Sequence, residues 1–289
     1  MIDLHTHSTA SDGTLTPEEL VDLAAEKGLR AIALTDHDTV GGISAALERG
    51  NQRRVLVIPG VELGACWNGD GEMHILGYHV DHQHPFLLDR LSWLRARRRE
   101  RAEKIVSRLH EIGVPVSGDR VLQLAGSGSV GRPHVARALL EAGYVQSVSE
   151  AFDRYLKAGA PAFLEKFQFT SAEAIELITI SGGVAVLAHP ATLRLSPDGL
   201  GACLEQLINE GLRGIEVYWS KHDKSEISYY EQLATRYALI ITGGSDFHGS
   251  NKPTLELGAQ LNGHVDEAYM LRALQRGNTP ARIRTAEAN

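Results

Sequence analysis

The sequence predicts an α/β fold, because short apolar runs typical of strands alternate with segments that have helical spacing. The chain has 289 residues, of which 43% are hydrophobic and 22% are charged, so it can bury a sizeable core. This composition excludes a disordered, low-complexity or collagen-like protein. The net charge of −7 excludes a polycation that coats nucleic acid, but it leaves room for a local basic patch.

The strands and helices are predicted in chain order from apolar runs and helix-end signals. The first strand is Ile2-Asp3-Leu4. The helix after it begins at Thr16, which forms a capping box with Glu19, and ends at Gly28. Later strands are predicted at residues 31–34, 55–58, 73–76, 184–187, 214–217 and 239–242, and later helices at about 171–181, 199–210, 225–236 and 266–276. Most of these strands are continuously apolar, as expected for a parallel sheet that is buried on both faces.

The middle of the chain interrupts this alternation, since helical patterns occur there without a convincing strand. We therefore predict a helical insertion domain at residues 91–159, and an α/β domain formed by residues 1–90 and 160–289. The basic run Arg95–Arg101 lies near the start of the insertion. Its preferred interpretation is a solvated helix face, and the alternative is attraction of an RNA backbone.

The sequence also bears on the compartment in which the protein works. No apolar run approaches the ~18 residues needed to cross a bilayer, and the first residues lack the basic and apolar regions of a signal peptide. The two cysteines, Cys66 and Cys203, cannot form the disulfide framework of a small secreted protein. We therefore expect a cytoplasmic protein with reduced thiols and no membrane partner.

Histidines and acidic residues follow most of the predicted strands. Side chains at the carboxyl ends of strands converge in α/β folds, and the spacing of His5 and His7 places two imidazoles on one side of an extended chain. Imidazoles and carboxylates packed together are poorly solvated unless divalent cations coordinate them. We expect two or three such cations, and mixed histidine and carboxylate ligands suit manganese, iron or zinc. The candidate ligands are His5, His7, Asp12, His37, Glu62, His74, His189, Asp246 and His248.

In type and order these residues resemble the PHP family, named for polymerase and histidinol phosphatase. The resemblance is carried by His5-Thr6-His7, Asp12, Thr35-Asp36-His37, Glu62, His74, His189 and Asp246-Phe247-His248. It implies a distorted (β/α)7 barrel with a centre of three metals. On this chain it implies one metal held by His5, His7, Glu62 and Asp246, a second by Glu62, His74 and His189, and a third by Asp12, His37 and His248.

A finer resemblance is to one branch of that family. The opening residues Asp3 to Gly13, the helical insertion and Gly131-Arg132-Pro133-His134 resemble bacterial 3′,5′-nucleoside bisphosphate phosphatases. Relatives in this branch also act as 5′→3′ exoribonucleases, and histidinol phosphatases form a neighbouring branch. The resemblance therefore implies a phosphoesterase whose partner is a nucleotide or short RNA, and it leaves the oligomeric state open.

From this resemblance we predict hydrolysis of the 5′-phosphate of nucleotides, above all of 3′,5′-nucleoside bisphosphates. The attacking group is expected to be a hydroxide that bridges the metals held by Glu62. Glu62 and Asp246 are the predicted catalytic residues, and the leaving oxygen takes its proton from Asp246 or a nearby histidine. Three alternatives remain open: a 5′→3′ exoribonuclease on short RNA, a phosphatase of the histidinol-phosphate type, and a PHP module without catalytic activity.

Four further residues are candidates for contacts with the substrate. Arg132 and His134 open a predicted helix, where an anion is favoured, and the Arg132 guanidinium matches two phosphate oxygens. Lys166 and His222 follow elements that flank the mouth of the barrel. For these two residues a solvated surface position is the preferred interpretation.

Two smaller predictions concern an acid and the tryptophans. Asp38 is expected either to orient His37 or to cap the helix that follows. Trp67, Trp93 and Trp219 are candidates for stacking on a base, with buried packing as the preferred interpretation.

Overall fold

Seven strands form a single sheet in chain order in a computed structural model that describes residues 1–66, 72–126, 128–259 and 266–277. The strands are β1 (Ile2–Thr6), β2 (Ala31–Leu34), β3 (Leu56–Ala65), β4 (Met73–Tyr78), β5 (Val184–Leu187), β6 (Gly214–Trp219) and β7 (Ile240–Gly244). Each predicted strand is present, and β3 extends well past its predicted end at residue 58.

Helices connect most of the strands, and in the predicted insertion the described regular elements are all helical. In the described residues they are α1 (Pro17–Glu26), α2 (Ile43–Arg53), α3 (Pro85–Glu111), α4 (Gly118–Ala125), α5 (Arg132–Glu141), α6 (Val148–Ala151), α7 (Ser171–Ile180), α8 (Pro197–Glu210), α9 (Lys224–Arg236) and α10 (Glu267–Gly277). The predicted capping box of α1 is present, since Thr16 and Glu19 each accept a hydrogen bond from the other's backbone N–H. Asp38 does not cap α2, because Gly42 occupies the position before its first turn. Across these ranges, no helix combines the length and apolarity that crossing a membrane requires.

The first and last strands meet and nearly close the sheet into a barrel. After β7, the Asp246 N–H donates to the His5 carbonyl (2.9 Å) and the His7 N–H donates to the Phe247 carbonyl (3.0 Å). The backbones approach so closely that a Cβ on Gly244 would lie 2.4 Å from the Cβ of His5. Glycine is therefore required at this point, because any side chain would push the two strands apart. The predicted α/β barrel with a helical insertion is confirmed.

Strand β4 departs from the predicted parallel order. It pairs antiparallel with β3, where His74 lies opposite Gly64, and it also pairs antiparallel with β5. The cause is the short connection, since only residues 66–72 separate β3 from β4 and a parallel crossover needs about a dozen or more. Because residues two apart share a face of a strand, this hairpin places His74 on the same side as Glu62.

The described residues contain two separate hydrophobic clusters. The larger one joins the sheet to the helices around it and includes Leu87 and Leu91 from the first half of α3. The smaller one is built from the second half of α3 together with α4 and α5, and it includes Ile105 and Leu139. Helix α3 thus belongs to both clusters. The boundaries of the insertion domain at residues 91–159 stay a prediction.

Candidate metal centre

Side chains from the strand ends meet in one place, which we call the histidine–acid cluster. The nine predicted ligands all belong to it, in overlapping groups whose ligand atoms lie within 4.8 Å of one another. These groups are His7, Asp12, His37 and His248; His5, Glu62 and His189; His5, His7 and Asp246; and His37, Glu62 and His74. Residues spread over the whole chain therefore reach one site, as their strand-end positions predicted.

Glu62 lies at the centre of this cluster and is fully buried. Its Oε1 lies 2.8 Å from His74 Nδ1 and 2.9 Å from His189 Nε2. Its Oε2 faces three further ring nitrogens at 3.0–3.3 Å, which belong to His37, His5 and His7. One carboxylate that faces five imidazoles has the arrangement needed to bridge two cations, because each oxygen can serve one of them.

Several buried atoms of the cluster have no hydrogen-bond partner among the described residues. They are Nε2 of His5, both ring nitrogens of His7, Oε2 of Glu62 and Nε2 of His248. Each such atom costs roughly 1–3 kcal/mol when it stays unpaired. Imidazole nitrogens and carboxylate oxygens are common ligands of divalent cations, so these residues fit a metal centre.

The pKa values of the side chains in the cluster also fit a metal centre. Burial by itself lowers the pKa of His7, but the carboxylates of Asp246 and Glu62 raise it to about 9. Burial by itself raises the pKa of the Glu62 carboxyl, but the surrounding imidazoles, His37 first, hold it well below its usual range. Burial lowers the pKa of His248 to about 4. The acids are therefore ionised, and the site favours positive charge of the kind that a bound cation supplies.

Sequence analysis missed Glu216, which holds two of the predicted ligands in place. This carboxylate is fully buried in β6. Its Oε1 lies 2.9 Å from His5 Nδ1, and its Oε2 accepts a hydrogen bond from the His189 backbone N–H at 2.7 Å. Bonding at Nδ1 leaves Nε2 of His5 to face the cluster. The available signal was an acid in an otherwise apolar strand, since carboxylates are seldom buried without a partner.

Two other buried acids hold the loops that carry the ligands. Asp36 accepts hydrogen bonds from the Ser8 backbone N–H (2.7 Å) and the Ser11 hydroxyl (2.6 Å), which fixes the loop after β1. Asp3 accepts from the Ser245 hydroxyl at 2.6 Å, which fixes the loop after β7. Because the side-chain oxygens of both acids accept hydrogen bonds from neighbouring donors, the two residues act as structural anchors.

The backbone is strained at two predicted ligands. His189 has a φ of 24° and Asp246 a φ of 57°, in the region that side chains other than glycine rarely adopt. Such strain costs about 1–3 kcal/mol per residue and persists where the surroundings enforce it. Here the His189 N–H is held by Glu216 and the Asp246 N–H by the His5 carbonyl. The strained backbone therefore occurs at two residues whose side chains enter the cluster.

Asp246 has different neighbours on its two oxygens. Its Oδ1 lies 3.4 Å from His7 Nε2, while its Oδ2 accepts hydrogen bonds from Lys252 Nζ (2.8 Å) and Trp219 Nε1 (3.4 Å). Burial alone would raise the pKa of this carboxyl, but His7, His5 and Lys252 hold it well below its usual range. Asp246 is thus an anion at neutral pH, and its predicted catalytic role stays a prediction. Sequence analysis missed Lys252, which no motif or periodicity marks.

His222 lies behind Trp219 and outside the cluster. Its Nδ1 lies 2.8 Å from the Val217 carbonyl, and its ring packs against those of Trp219 and Tyr230. The preferred interpretation of a solvated surface position is wrong, because the residue is buried. Trp219 is buried as preferred, and its ring also contacts that of His189. A substrate contact by His222 stays a prediction.

Three cationic side chains, which we call the cationic group, gather beside the cluster: Arg98, Arg101 and Lys166. The Arg98 guanidinium pairs with the Asp38 carboxylate. Lys166 is partly buried with its ammonium over β3, where a Cβ on Gly64 would lie 3.0 Å from Nζ. Burial lowers the pKa of Lys166 to about 8, and the charge of Arg98 acts in the same direction. The solvated position preferred for Lys166 is therefore wrong.

The arginines of the basic run differ in exposure and in their partners along α3. Arg97 and Arg99 are exposed and pair with glutamates on the same helix, as a solvated face predicts. That interpretation is wrong for Arg98 and Arg101, which lie three residues apart and turn toward the cluster and the returning chain. The run alone could not reveal this, because the partner surface is far away in sequence.

A cavity of about 730 Å³ lies between the cluster and the insertion. Ligand cavities typically measure about 300–1,000 Å³, so this one has the size for a nucleotide. Its wall includes Asp12 and His248 from the cluster, Lys252, and His134 and Arg137 from α5. His134 lines this cavity, and its predicted contact with substrate stays a prediction.

Arg132, the other residue predicted at this helix start, points elsewhere. It donates a hydrogen bond to the Leu156 carbonyl (3.2 Å), and its guanidinium lies over the rings of Phe152 and Phe163. Its predicted contact with substrate stays a prediction. Trp93 is only partly buried, with its ring against Phe167, and Trp67 lies outside the described residues.

Comparison with known proteins identifies relatives along nearly the whole chain. Residues 3–207 match the family model described as the PHP domain. The chain is 37% identical over 261 residues to the 5′-3′ exoribonuclease Rnm of Escherichia coli, covering 90% of this chain and 88% of that protein. It is 32% identical over 258 residues to the 3′,5′-nucleoside bisphosphate phosphatase of Chromobacterium violaceum, covering 89% and 90%. It is 34% identical over 253 residues to the phosphoribosyl 1,2-cyclic phosphate 1,2-diphosphodiesterase of Eggerthella lenta, covering 86% and 94%.

Two solved structures share the fold. A Bifidobacterium adolescentis protein described as a metal-dependent phosphoesterase superposes with a TM-score of 0.83 at 32% identity, covering 96% of each chain. A Chromobacterium violaceum protein described as an amidohydrolase, with bound sulfate and no metal, superposes with a TM-score of 0.82 at 30% identity and the same coverage. The resemblance that the ligand motifs predicted is confirmed, and the chain belongs to the PHP domain family.

Proposed function

We propose that this protein is a metal-dependent phosphoesterase that hydrolyses 3′,5′-nucleoside bisphosphates. The observation that carries the proposal is the position of a nucleotide-sized cavity beside a cluster of unpaired buried ligand atoms. Relatives of this chain are named as a bisphosphate phosphatase and an exoribonuclease, which favours an enzyme over a PHP module without activity. A histidinol-phosphate-type activity has no comparable support among these relatives.

We propose that the nine residues of the histidine–acid cluster hold two or three divalent cations, with manganese preferred and iron or zinc as alternatives. Such cations neutralise the charge of phosphoryl oxygens and lower the pKa of bound water. The carboxylate of Glu62 supports this arrangement, because both of its oxygens face imidazole nitrogens. Glu216 then fixes the His5 ring so that Nε2 faces the cations.

The other residues of the site bind and orient the substrate. Arg98 and Lys166 bring positive charge to the phosphate at the cluster, and an arginine fork suits two phosphate oxygens. The nucleoside lies in the cavity, where His134 and Arg137 face its other phosphate. Asp246 is proposed to act as a metal ligand, because its lowered pKa keeps the carboxylate ionised at neutral pH.

The named activities of two relatives favour one orientation of the substrate. A 5′→3′ exoribonuclease breaks the ester on the 3′ side of the first nucleotide, and a 3′,5′-nucleoside bisphosphate carries a phosphate at that position. One site serves both substrates when the 3′-phosphate lies at the cluster and the 5′-phosphate lies near α5. The motif resemblance instead led us to expect removal of the 5′-phosphate, so the reaction product distinguishes the two orientations.

The test is a panel of substrates with wild-type protein that has been stripped of metal and reloaded with manganese. We expect phosphate release from adenosine 3′,5′-bisphosphate to exceed release from histidinol phosphate and from adenosine 5′-monophosphate. Adenosine 5′-monophosphate as the product would establish the orientation proposed above, and adenosine 3′-monophosphate would reverse it. Equal or faster release from histidinol phosphate would contradict the substrate class, and no release from any compound would refute the enzyme.

A second activity, 5′→3′ trimming of short RNA, is favoured by the 37% identity to an exoribonuclease. The same panel tests it with a 5′-phosphorylated trinucleotide, from which mononucleotides are the expected product. Location in the cytoplasm is also proposed, and it is checked by fractionation of cells that carry the tagged protein.

A further inference from the structure

One face of α3 carries arginine and tryptophan side chains that lead away from the cationic group. Arg90, Trp93, Arg97 and Arg101 recur every three or four residues, which places them along one side of the helix. Arg101 belongs to the cationic group. Arg90 lies about 16 Å from Arg101 along the helix axis, at the usual rise per residue of an α-helix. These side chains therefore extend from the candidate active site along the surface.

Phe167 completes this surface from the neighbouring segment of chain. Its side chain is 44% exposed although it is large and apolar. Its ring meets the Trp93 ring edge-on, with centroids 4.6 Å apart and an angle of 85° between the planes. The guanidinium groups of Arg90 and Arg97 lie 4.9 and 5.5 Å from the centre of the Trp93 ring. Trp93 is thus held between several partners and supports an exposed phenyl ring.

The connection to the site runs through consecutive residues. Lys166 places its ammonium over Gly64 in β3, and the next residue, Phe167, exposes its ring to solvent. Because the two residues are adjacent in the chain, a polymer with one phosphate beside Lys166 has its following nucleotides within reach of Phe167.

The charge of this face suits an anionic polymer. Arg97 pairs with Glu100 at 2.8 Å, and Arg90 lies 3.9 Å from Glu173. Exposed ion pairs of this kind contribute at most about 1 kcal/mol, so a phosphate can compete for either arginine. Because the whole chain has a net charge of −7, the concentration of arginines here is a local feature.

We propose that this stripe, formed by Arg90, Trp93, Arg97 and Phe167, binds the downstream nucleotides of a single-stranded RNA whose 5′ end lies in the candidate active site. Phe167 stacks on a base, Trp93 fixes the orientation of Phe167, and the two arginines contact the backbone. Aromatic faces combined with cations bind single strands with little dependence on sequence. The inference rests on the proposed function, since that function places the 5′ end of the RNA.

The test compares Phe167→Ala with wild-type protein in the presence of a chelator. Fluorescence anisotropy of a labelled 5′-phosphorylated hexaribonucleotide measures the affinity for RNA. Displacement of that hexanucleotide by adenosine 3′,5′-bisphosphate measures the affinity for the bisphosphate. Loss of one stacked base weakens binding about tenfold. We therefore expect about tenfold weaker binding of the hexanucleotide and unchanged binding of the bisphosphate. Phe167→Trp keeps an aromatic face and is expected to restore binding. Tyr269→Ala, which removes a comparably exposed aromatic ring from α10, is the matched control and is expected to change neither value.

A second measurement tests the arginines through the salt dependence of hexanucleotide binding. Each phosphate contact on a single strand contributes about 0.7 to the slope of log affinity against log salt. Arg97→Ala is expected to lower that slope by about this amount, and Arg99→Ala, an exposed neighbour on another face, to leave it unchanged.

Three outcomes would overturn the inference. Phe167→Ala could leave hexanucleotide binding unchanged, or it could weaken binding of the bisphosphate and the hexanucleotide equally. It could also convert a dimer to a monomer in sedimentation, which would make the stripe an interface between copies of this chain. Failure of the proposed function is a separate result, because it appears as no phosphate release by the wild-type protein and leaves these binding measurements intact.

Discussion

The histidine–acid cluster and the cationic group lie side by side but are built in different ways. The cluster uses short side chains at strand ends, and buried acids such as Glu216 and Asp3 hold their positions. The cationic group uses long side chains from a helix and a connecting segment, and Arg101 is held by the Leu164 carbonyl. The proposed metal-binding part is therefore fixed by the barrel, whereas the proposed phosphate-binding part depends on how the insertion packs against it.

The largest effect is expected from Glu62→Gln, which removes the charge at the centre of the cluster. Because both oxygens of Glu62 face imidazoles, the change weakens the binding of two proposed cations at once. We expect phosphate release to fall by at least about a hundredfold, more than for a residue that only orients a ligand. Elemental analysis after dialysis measures the bound metal. Glu48→Gln, an exposed change on α2, is the control, and full metal content in Glu62→Gln would contradict the assignment.

A somewhat smaller effect is expected from Glu216→Gln. The amide cannot accept from both His5 Nδ1 and the His189 N–H as a carboxylate does, so the two ligands lose their orientation. Loss of such a supporting partner typically costs about 10–100-fold in metal affinity. Competition with a chelator measures the change. An affinity equal to that of the wild-type protein would mean that the barrel holds these ligands without Glu216.

Arg98→Ala tests the other half of the comparison. We expect KM for the bisphosphate to rise about tenfold with unchanged metal content, because a hydrogen bond to a charged group contributes about 1.5–3 kcal/mol. The neighbouring Arg99→Ala is the matched control, since Arg99 is exposed and pairs with Glu103.

Removal of Arg98 also leaves Asp38 without its partner, so the thermal midpoint is measured alongside KM. Arg98→Lys keeps a positive charge beside Asp38 but loses the planar guanidinium that can donate to two phosphate oxygens. If Arg98→Lys restores stability and KM together, the effect of Arg98 is structural and its proposed contact with phosphate is wrong.

The smallest effect is expected from pH. Burial lowers the pKa of Lys166 to about 8, so its ammonium is charged below that value and neutral above it. The KM for the bisphosphate is therefore expected to rise a few-fold between about pH 7 and pH 9. Lys166→Arg keeps its charge over this pH range and is expected to abolish that rise in KM. If KM rises equally with pH in wild-type protein and in Lys166→Arg, the group that titrates is not Lys166.

Much of the site was accessible from the sequence because the ligands occupy strand ends. Any α/β fold brings those ends together, so His5, His189 and Asp246 could be grouped before any coordinates were known. Glu216 lies inside β6 instead, and a lone acid in an apolar strand does not reveal which ligands it contacts. The reversal of β4 was also accessible, since the short connection after β3 leaves no room for a crossover.

The sequence by itself determined the α/β class, the strand order along the chain and the nine residues that meet in the cluster, because these follow from local periodicity and from which end of a strand a residue occupies. Only the tertiary structure decided which arginines of the basic run face the site, where Lys252 and Arg132 point, and that Phe167 lies against Trp93. Such contacts join segments that are distant in sequence, and long side chains reach partners that no local pattern encodes.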